Sequence, residues 1–504
     1  MLFFALAMAG GSLWLVNPED FWWHLKIGDL IRETGTIPEV GLFSATQANT
    51  PFFYQSWLAE VIFSWTYQLG GLVAILQLRN MLLIATYGLL LWHSLRRAKG
   101  NGRAAMLGLV FMVIVAFNNW NVRPQMFSWL LFAATFVIVS EVATERWSTK
   151  ALWLLPIIEV AWVNLHGAFT LGPILVGAAA VGAIIDRRRD HPEAPIYATM
   201  RALWLAFAAM LAATLINPRG WGVLVYVGKL LTDPSSQELI SEWASPLSTL
   251  SKPVSQFLLA VVFIAVVMIV VVWKKMRTAD LLIIGTMIGL TLTGIRYQLW
   301  FGMVAGPIIA EALVQRGRLK LIKRNPPAPK AIAWLTIALA VVGLLVQPLI
   351  RIWLPIPAAL NGASGDLPYA ELATAATPIQ AVAFLQANPP SQAYYHEMRY
   401  SSYLIWQAGE QLPVFVDTRV ELYPIAQWNE YKCIMAGNDW ERLLAKYTMN
   451  TIMVDREIGK DLVSAVQANP AWQEVYADQQ TLIYERDSQI AQPSNQPVLC
   501  PATN

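Results

Sequence analysis

The chain has 504 residues, of which 56% are hydrophobic and only 14% are charged, with 22 tryptophans and a mean hydropathy of +0.45. Soluble domains carry roughly 25% charged residues, so these values exclude an ordinary water-soluble enzyme and predict that most of the chain faces lipid. Residues 1–350 hold 27 Lys and Arg against 17 Asp and Glu (+10), whereas residues 351–504 hold 9 against 16 (−7). This asymmetry predicts two parts in different surroundings. The basic residues form short clusters and no stripe, which gives no support for nucleic-acid binding.

Apolar runs recur through the first 350 residues, and each is long enough, or nearly so, to cross a bilayer core as a helix. We therefore expect an α-helical polytopic membrane protein with about eleven transmembrane helices. The runs centre on Met1–Val16, Leu72–Trp92, Ala104–Phe117, Met126–Ser140, Ala151–Val163, Phe169–Ile185, Ala202–Ile216, Phe257–Trp273, Leu281–Thr293, Leu299–Val314 and Ile332–Val346.

The loops between these runs predict the orientation of the chain. When alternate loops are assigned to opposite sides, one set holds 19 Lys and Arg and the other holds seven. Cytoplasmic loops are enriched in Lys and Arg. This predicts a multi-pass membrane protein with a cytoplasmic N-terminus and places the segment after Val346 outside the cytoplasm. The first run has no basic leader and no small-residue cleavage site, so we expect a retained helix.

We predict a transmembrane domain over residues 1–350, with long outer loops at 17–56 and 217–255. A Pro-rich connector is expected at 351–376, an extracytoplasmic α/β domain at 377–487 and a disordered tail at 488–504. The two cysteines, Cys433 and Cys500, lack metal-ligand spacing, which leaves a disulfide and two free thiols as equal alternatives. Expected strands are Ala393–His396, Pro413–Asp417, Thr451–Asp455, Glu474–Tyr476 and Leu482–Glu485; expected helices are Pro378–Ala387, Ile425–Met435, Asp439–Tyr447 and Lys460–Ala468.

The start of the first outer loop is the most informative stretch of the sequence. Glu19, Asp20 and His24 follow the first apolar run directly, beside Trp22 and Trp23. A carboxylate walled by Trp rings at a membrane surface can have its pKa raised enough to accept a proton from a hydroxyl. The alternative is that the two tryptophans are interfacial anchors, while the two carboxylates cap the following helix.

Other polar residues fall at the outer ends of the predicted spans. Arginines there suit a phosphate group, because a guanidinium stays charged and binds two oxygens at once; the alternative is contact with lipid headgroups. Histidine and carboxylate side chains near a membrane suggest function, although a packed, hydrogen-bonded role fits them equally. The candidates are Arg123, Asn164, His166, Arg219, Glu242 and Arg296. The sequence has no phosphate-binding glycine loop, zinc spacing or nucleophile elbow, so ATP hydrolysis and serine-type hydrolysis are unsupported.

These motifs together resemble a group of bacterial multispanning proteins in the GT-C glycosyltransferase superfamily. The resemblance covers most of the chain, and it implies a multi-pass protein of the bacterial plasma (inner) membrane. It rests on Glu19–Leu25 with Gly28, Thr36–Pro38, Phe43–Ser44, Trp57–Glu60, Arg123–Gln125, Trp162–Gly167, Asn217–Gly220, Ser241–Trp243, Tyr400–Leu404 and Val416–Arg419.

GT-C enzymes, such as protein O-mannosyltransferases and lipid A aminoarabinose transferases, take a sugar from a polyprenyl-phosphate carrier on the non-cytoplasmic side. The resemblance implies that Asp20, with Glu19 beside it, is the general base in an inverting transfer, and that His24 orients Asp20 or binds the acceptor. Arg123, Arg296 and then Arg219 are the implied partners of the leaving lipid phosphate. The remaining implied substrate contacts are Trp23, Asn164, His166 and Glu242.

The family pattern has a second acidic residue just before Phe43-Ser44, where this chain has Gly41-Leu42. We therefore predict no obligatory metal. The expected partners are membrane lipid, a polyprenyl-phosphate sugar and a glycan, lipid or protein acceptor, with no nucleic acid.

Two other functional classes remain open at this point. A transporter or flippase for lipids or lipid-linked sugars would usually place charges near the bilayer midplane and show repeated halves. A non-catalytic scaffold would present the outer domain to a partner. The polar clusters at one face and the absence of a sequence repeat favour the glycosyltransferase.

Overall fold

The computed structural model describes residues 14–192, 194–315 and 362–487, with five isolated positions between 342 and 352. The first apolar run, the run at Ile332–Val346, part of the predicted connector, the predicted tail and Cys500 therefore lie mostly or wholly outside the described residues. The chain divides into two compact units: one contains Leu76–Gly228 and Ile240–Pro348, and the other contains Leu15–Ile75, Lys229–Leu239 and Leu349–Asn504. The predicted domain boundaries stay predictions.

The first unit is helical. It comprises the later part of a long helix, and nine further helices follow wholly or largely within its described residues. In chain order these are α2 (Trp57–Arg97), α3 (Gly102–Ala116), α4 (Gln125–Ala143), α5 (Leu154–Leu165), α6 (Leu171–Arg188), α7 (Tyr197–Ala213), α8 (Gly222–Thr232), α10 (Pro253–Val272), α11 (Thr278–Thr293) and α12 (Gln298–Gln315). The helices α1 (Phe21–Thr34) and α9 (Pro234–Leu239) belong to the second unit.

Nine of the eleven predicted apolar runs coincide with helices in the described part of the chain. Five helical stretches there are long and apolar enough to cross a membrane: α2, α4, Gly167–Arg188, Pro253–Lys275 and Ile295–Gln315. The other coincident runs form shorter helices. α2 is kinked at Gly70 and Gly71, which have non-helical backbone angles. These findings support an integral membrane protein.

Small residues allow the helices of the first unit to pack closely. A Cβ on Gly108 of α3 would lie 2.4 Å from the carbonyl oxygen of Gly306 in α12, so only glycine permits this approach. Ion pairs between side chains fix the C-terminal end of α2. Arg97 is buried and pairs with Asp280 at 2.8 Å and with Glu311. Arg277 also pairs with Asp280 at 2.8 Å. Arg97 and Arg277 belong to the basic loops that predicted the orientation, yet both are buried among carboxylates.

The second unit contains α1 (Phe21–Thr34), the first part of α2, and α9 (Pro234–Leu239). Its C-terminal part holds a small mixed sheet in the order β1-β2-β4-β3. β1 pairs parallel with β2, and β4 pairs antiparallel with both β2 and β3. The elements are α13 (Ile379–Ala387), β1 (Ala393–His396), α14 (Ser401–Ala408), α15 (Ile425–Met435), α16 (Trp440–Lys446), β2 (Met449–Asp455), α17 (Lys460–Gln467), β3 (Trp472–Ala477) and β4 (Thr481–Arg486).

The predicted α/β domain is thus present, with four of the five predicted strands and all four predicted helices. The strand predicted at Pro413–Asp417 is wrong: only Val414 forms an isolated bridge, to Ser44 of the first long loop. The neighbouring Phe415 N–H donates to the ring nitrogen Nε2 of His396 instead of to a main-chain carbonyl of a strand. Residues 414–417 are buried, but the backbone of Val414 and Phe415 bonds to the first long loop and to side chains instead of to a strand of the sheet. The sequence prediction also missed α14.

Candidate functional site

The acidic pair lies at the start of α1. Asp20 is the N-cap residue of this helix, and its side chain makes no capping hydrogen bond. Glu19 is exposed, whereas Asp20 is partly buried and is followed by the buried side chains of Phe21 and Trp22. The proposed cap role of Asp20 is therefore wrong.

Trp23 is fixed from three directions within the second unit. Its main-chain N–H donates to Ser402 Oγ at 2.9 Å, and its indole Nε1 donates to Thr418 Oγ1 at 3.0 Å. The Arg419 guanidinium lies over its ring at 5.6 Å from the centroid. Three independent contacts hold Trp23 in one orientation beside the acidic pair.

His24 has a buried carboxylate partner. Its Nδ1 lies 2.8 Å from Oε1 of Glu60, in the first turn of α2, and its ring contacts that of Trp23. A Cβ on Gly28 would lie only 2.0 Å from the Glu60 carbonyl oxygen, so α1 and α2 touch along their backbones here. The predicted site residues do not include Glu60, although it belongs to the Trp57–Glu60 motif of the resemblance. The sequence favours a buried carboxylate at this position, and the structure shows one, hydrogen-bonded to His24.

A buried ion pair lies beneath this cluster. Arg419 pairs with Asp417 through two guanidinium nitrogens, and it also donates to the Tyr54 hydroxyl at 3.0 Å and the Leu42 carbonyl at 2.8 Å. The Tyr423 hydroxyl donates to Asp417 at 2.7 Å. Burial acts to lower the pKa of Arg419, but the Asp417 carboxylate raises it above the usual range, so the guanidinium stays charged. The sequence analysis quoted this motif without assigning it a role.

The first unit contains a separate cationic cluster. Arg123 pairs with the Glu242 carboxylate at 2.8 Å, and the main-chain N–H of Arg296 donates to the Glu242 carbonyl at 2.8 Å. The Arg296 guanidinium lies 4.3 Å from the ring centroid of Trp243. Burial acts to raise the pKa of Glu242, but Arg123 outweighs it and holds the pKa below its ordinary value. Arg123 therefore contacts the Glu242 carboxylate directly, whereas Arg296 acts on it only electrostatically. Two guanidinium groups near a single carboxylate can accept a further anion.

The two arginines act on His166 electrostatically. Burial, followed by Arg296 and Arg123, lowers the pKa of His166 to about 3, so the imidazole is neutral near pH 7. Its Nδ1 lies 2.9 Å from Ser128 Oγ, which accepts a hydrogen bond from Trp162 Nε1 at 2.8 Å. His166 therefore acts as a neutral hydrogen-bonding group between helices.

The two remaining predicted residues have contacts that organise local backbone. Asn164 Nδ2 donates to the carbonyls of Val160 and Ile216, at 2.8 and 2.9 Å. The main-chain N–H of Arg219 donates to the side chain of Asn217 at 2.8 Å, which forms a turn after α7.

The predicted residues therefore form two groups. Within the second unit the structure brings together Glu19, Asp20, Trp23 and His24; within the first unit it brings together Arg123, Glu242, Arg296 and His166. No group of three or more His, Cys, Asp or Glu side chains in the described part of the chain is placed to hold a metal ion.

The fold is similar to that of a solved membrane protein. The crystal structure of ArnT from Cupriavidus metallidurans in the apo state matches over 97% of this chain and 98% of that chain, with 14% identity and a TM-score of 0.51. The chain therefore has an ArnT-like fold. This confirms the predicted fold class, an α-helical polytopic membrane protein with a C-terminal α/β domain.

A second ArnT structure from the same organism, bound to undecaprenyl phosphate, matches over the same shares with 12% identity and a TM-score of 0.49. No family model matches the sequence. No curated protein matches it either.

Proposed function

We propose that the protein is an integral-membrane glycosyltransferase that moves a sugar from a polyprenyl-phosphate carrier to an acceptor hydroxyl on the non-cytoplasmic face. The observation that carries the proposal is the ArnT-like fold combined with an acidic residue, Asp20, at the start of α1, whose side chain makes no capping hydrogen bond. A shared fold raises the expectation of a shared reaction class without fixing the sugar or the acceptor.

Asp20 is the proposed general base. Its carboxylate accepts the proton of the acceptor hydroxyl while the acceptor oxygen attacks the anomeric carbon of the sugar. The bond from that carbon to the phosphate oxygen breaks, and polyprenyl phosphate leaves with the electron pair, so the anomeric centre is inverted. Glu19 is exposed at the same helix end and supports the local negative charge. His24, held by Glu60, is placed to orient the acceptor.

Arg123 and Arg296 are the proposed partners of the lipid phosphate, with Arg219 as a further candidate. Negative charge develops on the phosphate as the sugar leaves, and fixed guanidinium groups stabilise it. Glu242 holds Arg123, and Trp243 supports Arg296. His166 and Asn164 fix the surrounding backbone through their hydrogen bonds. Trp23 packs close to the proposed base. We propose that no metal is obligatory, so a chelator such as EDTA leaves the rate of transfer unchanged.

The test is transfer by Asp20→Asn protein in proteoliposomes, with Glu33→Gln as the matched control. Both substitutions neutralise a carboxylate of α1, and Glu33 is exposed near the other end of the helix. We expect Asp20→Asn to lower kcat by at least a hundredfold, within the usual range for loss of a general base. Glu33→Gln should keep the parental rate.

Parental transfer by a folded, membrane-inserted Asp20→Asn protein would exclude Asp20 as the base. Binding of polyprenyl phosphate and its movement across the liposome membrane, without transfer by the parent protein, would instead support a transporter.

A further inference from the structure

The first turn of α1 is capped from outside the helix. The first N–H groups of a helix have no partner within it, and an N-cap Asp ordinarily accepts one of them with its side chain. Here Asp20 is the N-cap, and Trp23, three residues later, has an N–H of this kind. That N–H donates to Ser402 Oγ at 2.9 Å, and the Asp20 side chain makes no capping bond.

Ser402 is held firmly enough to act as a cap. It is buried and lies in α14, whose aromatic side chains pack on α1. The Trp22 ring lies 5.2 Å from the ring of Tyr403 and 4.8 Å from that of Trp406, between centroids. The hydroxyl of Ser402 is therefore presented to the start of α1 by packed neighbours.

Thr418 fixes the chain on both sides of Asp20. Its hydroxyl accepts from Trp23 Nε1 at 3.0 Å and donates to the Glu19 carbonyl at 3.2 Å. A single hydroxyl can make both contacts because it has one proton to donate and lone pairs to accept. The residues before and after the proposed base are thus both attached to the C-terminal part of the second unit.

We propose that Ser402 is a positioning residue for Asp20: by accepting the Trp23 N–H itself, Ser402 keeps the Asp20 carboxylate out of the helix cap. This inference rests on the proposed function. A carboxylate that accepts a backbone N–H at a helix N-terminus has a lowered pKa and is a weaker base. The charged groups around this helix start are Glu19, the His24–Glu60 pair and Arg419. The C-terminal domain therefore completes the site of the base.

The experiment compares Ser402→Ala with Ser401→Ala. Ser401 is also buried in α14, but its hydroxyl donates to the Met398 carbonyl and makes no contact with α1 among the described hydrogen bonds. In Ser402→Ala, Asp20 turns to cap the free N–H. We expect kcat to fall roughly tenfold with the KM for the donor unchanged, and the acidic limb of the kcat profile to move down by about one pH unit.

Ser401→Ala should keep the parental profile, and Ser402→Thr should restore most of kcat because it keeps the hydroxyl. If Ser402→Ala does not insert into membranes, Ser402→Cys replaces it, since sulfur fills the same space and accepts weakly. The same shift with a smaller fall in kcat is then expected.

An unchanged kcat and pH profile in Ser402→Ala or Ser402→Cys, beside an inactive Asp20→Asn, overturns the role of Ser402 and leaves the proposed function standing. Parental activity in Asp20→Asn overturns both.

Discussion

At the scale of single residues, the contacts of Arg123 show how the protein holds the cation that we propose as a partner of the lipid phosphate. A guanidinium without a counter-ion would be costly in partly buried surroundings, and Glu242 provides that counter-ion at 2.8 Å. In the proposed reaction a lipid phosphate competes with Glu242 for Arg123. Under this proposal the carboxylate both stabilises the buried arginine and weakens donor binding.

We predict opposite effects on the donor when this pair is changed. Arg123→Gln should raise the KM for the polyprenyl-phosphate donor about tenfold, since it removes a charge-assisted contact worth about 1.4 kcal/mol. Glu242→Gln should lower that KM, because the competing negative charge is gone. Steady-state kinetics on both variants give the answer, and an unaltered KM in Arg123→Gln would show that Arg123 does not bind the donor.

The lowered pKa of His166 makes the stability of the folded protein depend on pH, and its buried surroundings set the sign of that dependence. Its pKa is about 3 in the folded protein and about 6.5 in an unfolded chain. The unfolded state therefore binds a proton first, and stability falls as the pH drops from about 6.5 toward 3, by up to about 1.4 kcal/mol per pH unit. His166→Gln should flatten this part of the stability curve. The measurement is thermal unfolding of both proteins from pH 7 to 4; equal slopes would contradict the assignment.

At the scale of elements, the contact between α1 and α2 depends on glycine. We predict that Gly28→Ala destabilises the protein by roughly 1–3 kcal/mol, because its Cβ would meet the Glu60 carbonyl oxygen at 2.0 Å and push the helices apart. The displacement would also separate His24 from Glu60 and lower activity. Gly88→Ala in α2 is the control, since its Cβ would meet nothing within 4 Å. Equal thermal stability of the two variants would argue against this contact.

Local patterns in the sequence predicted most elements, but not the pairing between them. The strand Ala393–His396 and the helix Ile425–Met435 have the predicted bounds, because a short run of β-forming aromatic residues marks the first and helix-forming residues mark the second. The segment at 413–417 is also a short run of β-forming residues, yet its backbone partners come from His396 and the first long loop. Those partners are set by tertiary packing, which strand propensity does not contain.

The candidate site could be predicted only in part for the same reason. Asp20 and His24 stand out because charged groups directly after an apolar run are unusual. Ser402 has no such mark: it is an ordinary serine whose importance comes from a contact with Trp23 across 379 positions. Residues proposed to take part in the reaction are therefore easier to recognise in the sequence than residues proposed to position them.

At the scale of the whole molecule, the split charge first indicated a membrane part and a separate acidic part. The structure shows that the acidic C-terminal sequence folds into one unit with the first long loop. The C-terminal domain is therefore part of the unit that carries the proposed base. The arginines proposed to bind the lipid phosphate belong to the other unit. The proposed base and the proposed phosphate partners are thus contributed by different parts of the chain.

The proposed glycosyltransferase activity is tested most directly by donor cleavage with the purified full-length protein in proteoliposomes. A panel of polyprenyl-phosphate monosaccharides, radiolabelled in the lipid, would be supplied with bacterial envelope extract as the source of acceptor. We predict release of labelled polyprenyl phosphate from at least one donor, dependent on acceptor and abolished by Asp20→Asn but not by Glu33→Gln. Donors that bind but stay intact under all conditions would contradict a glycosyltransferase.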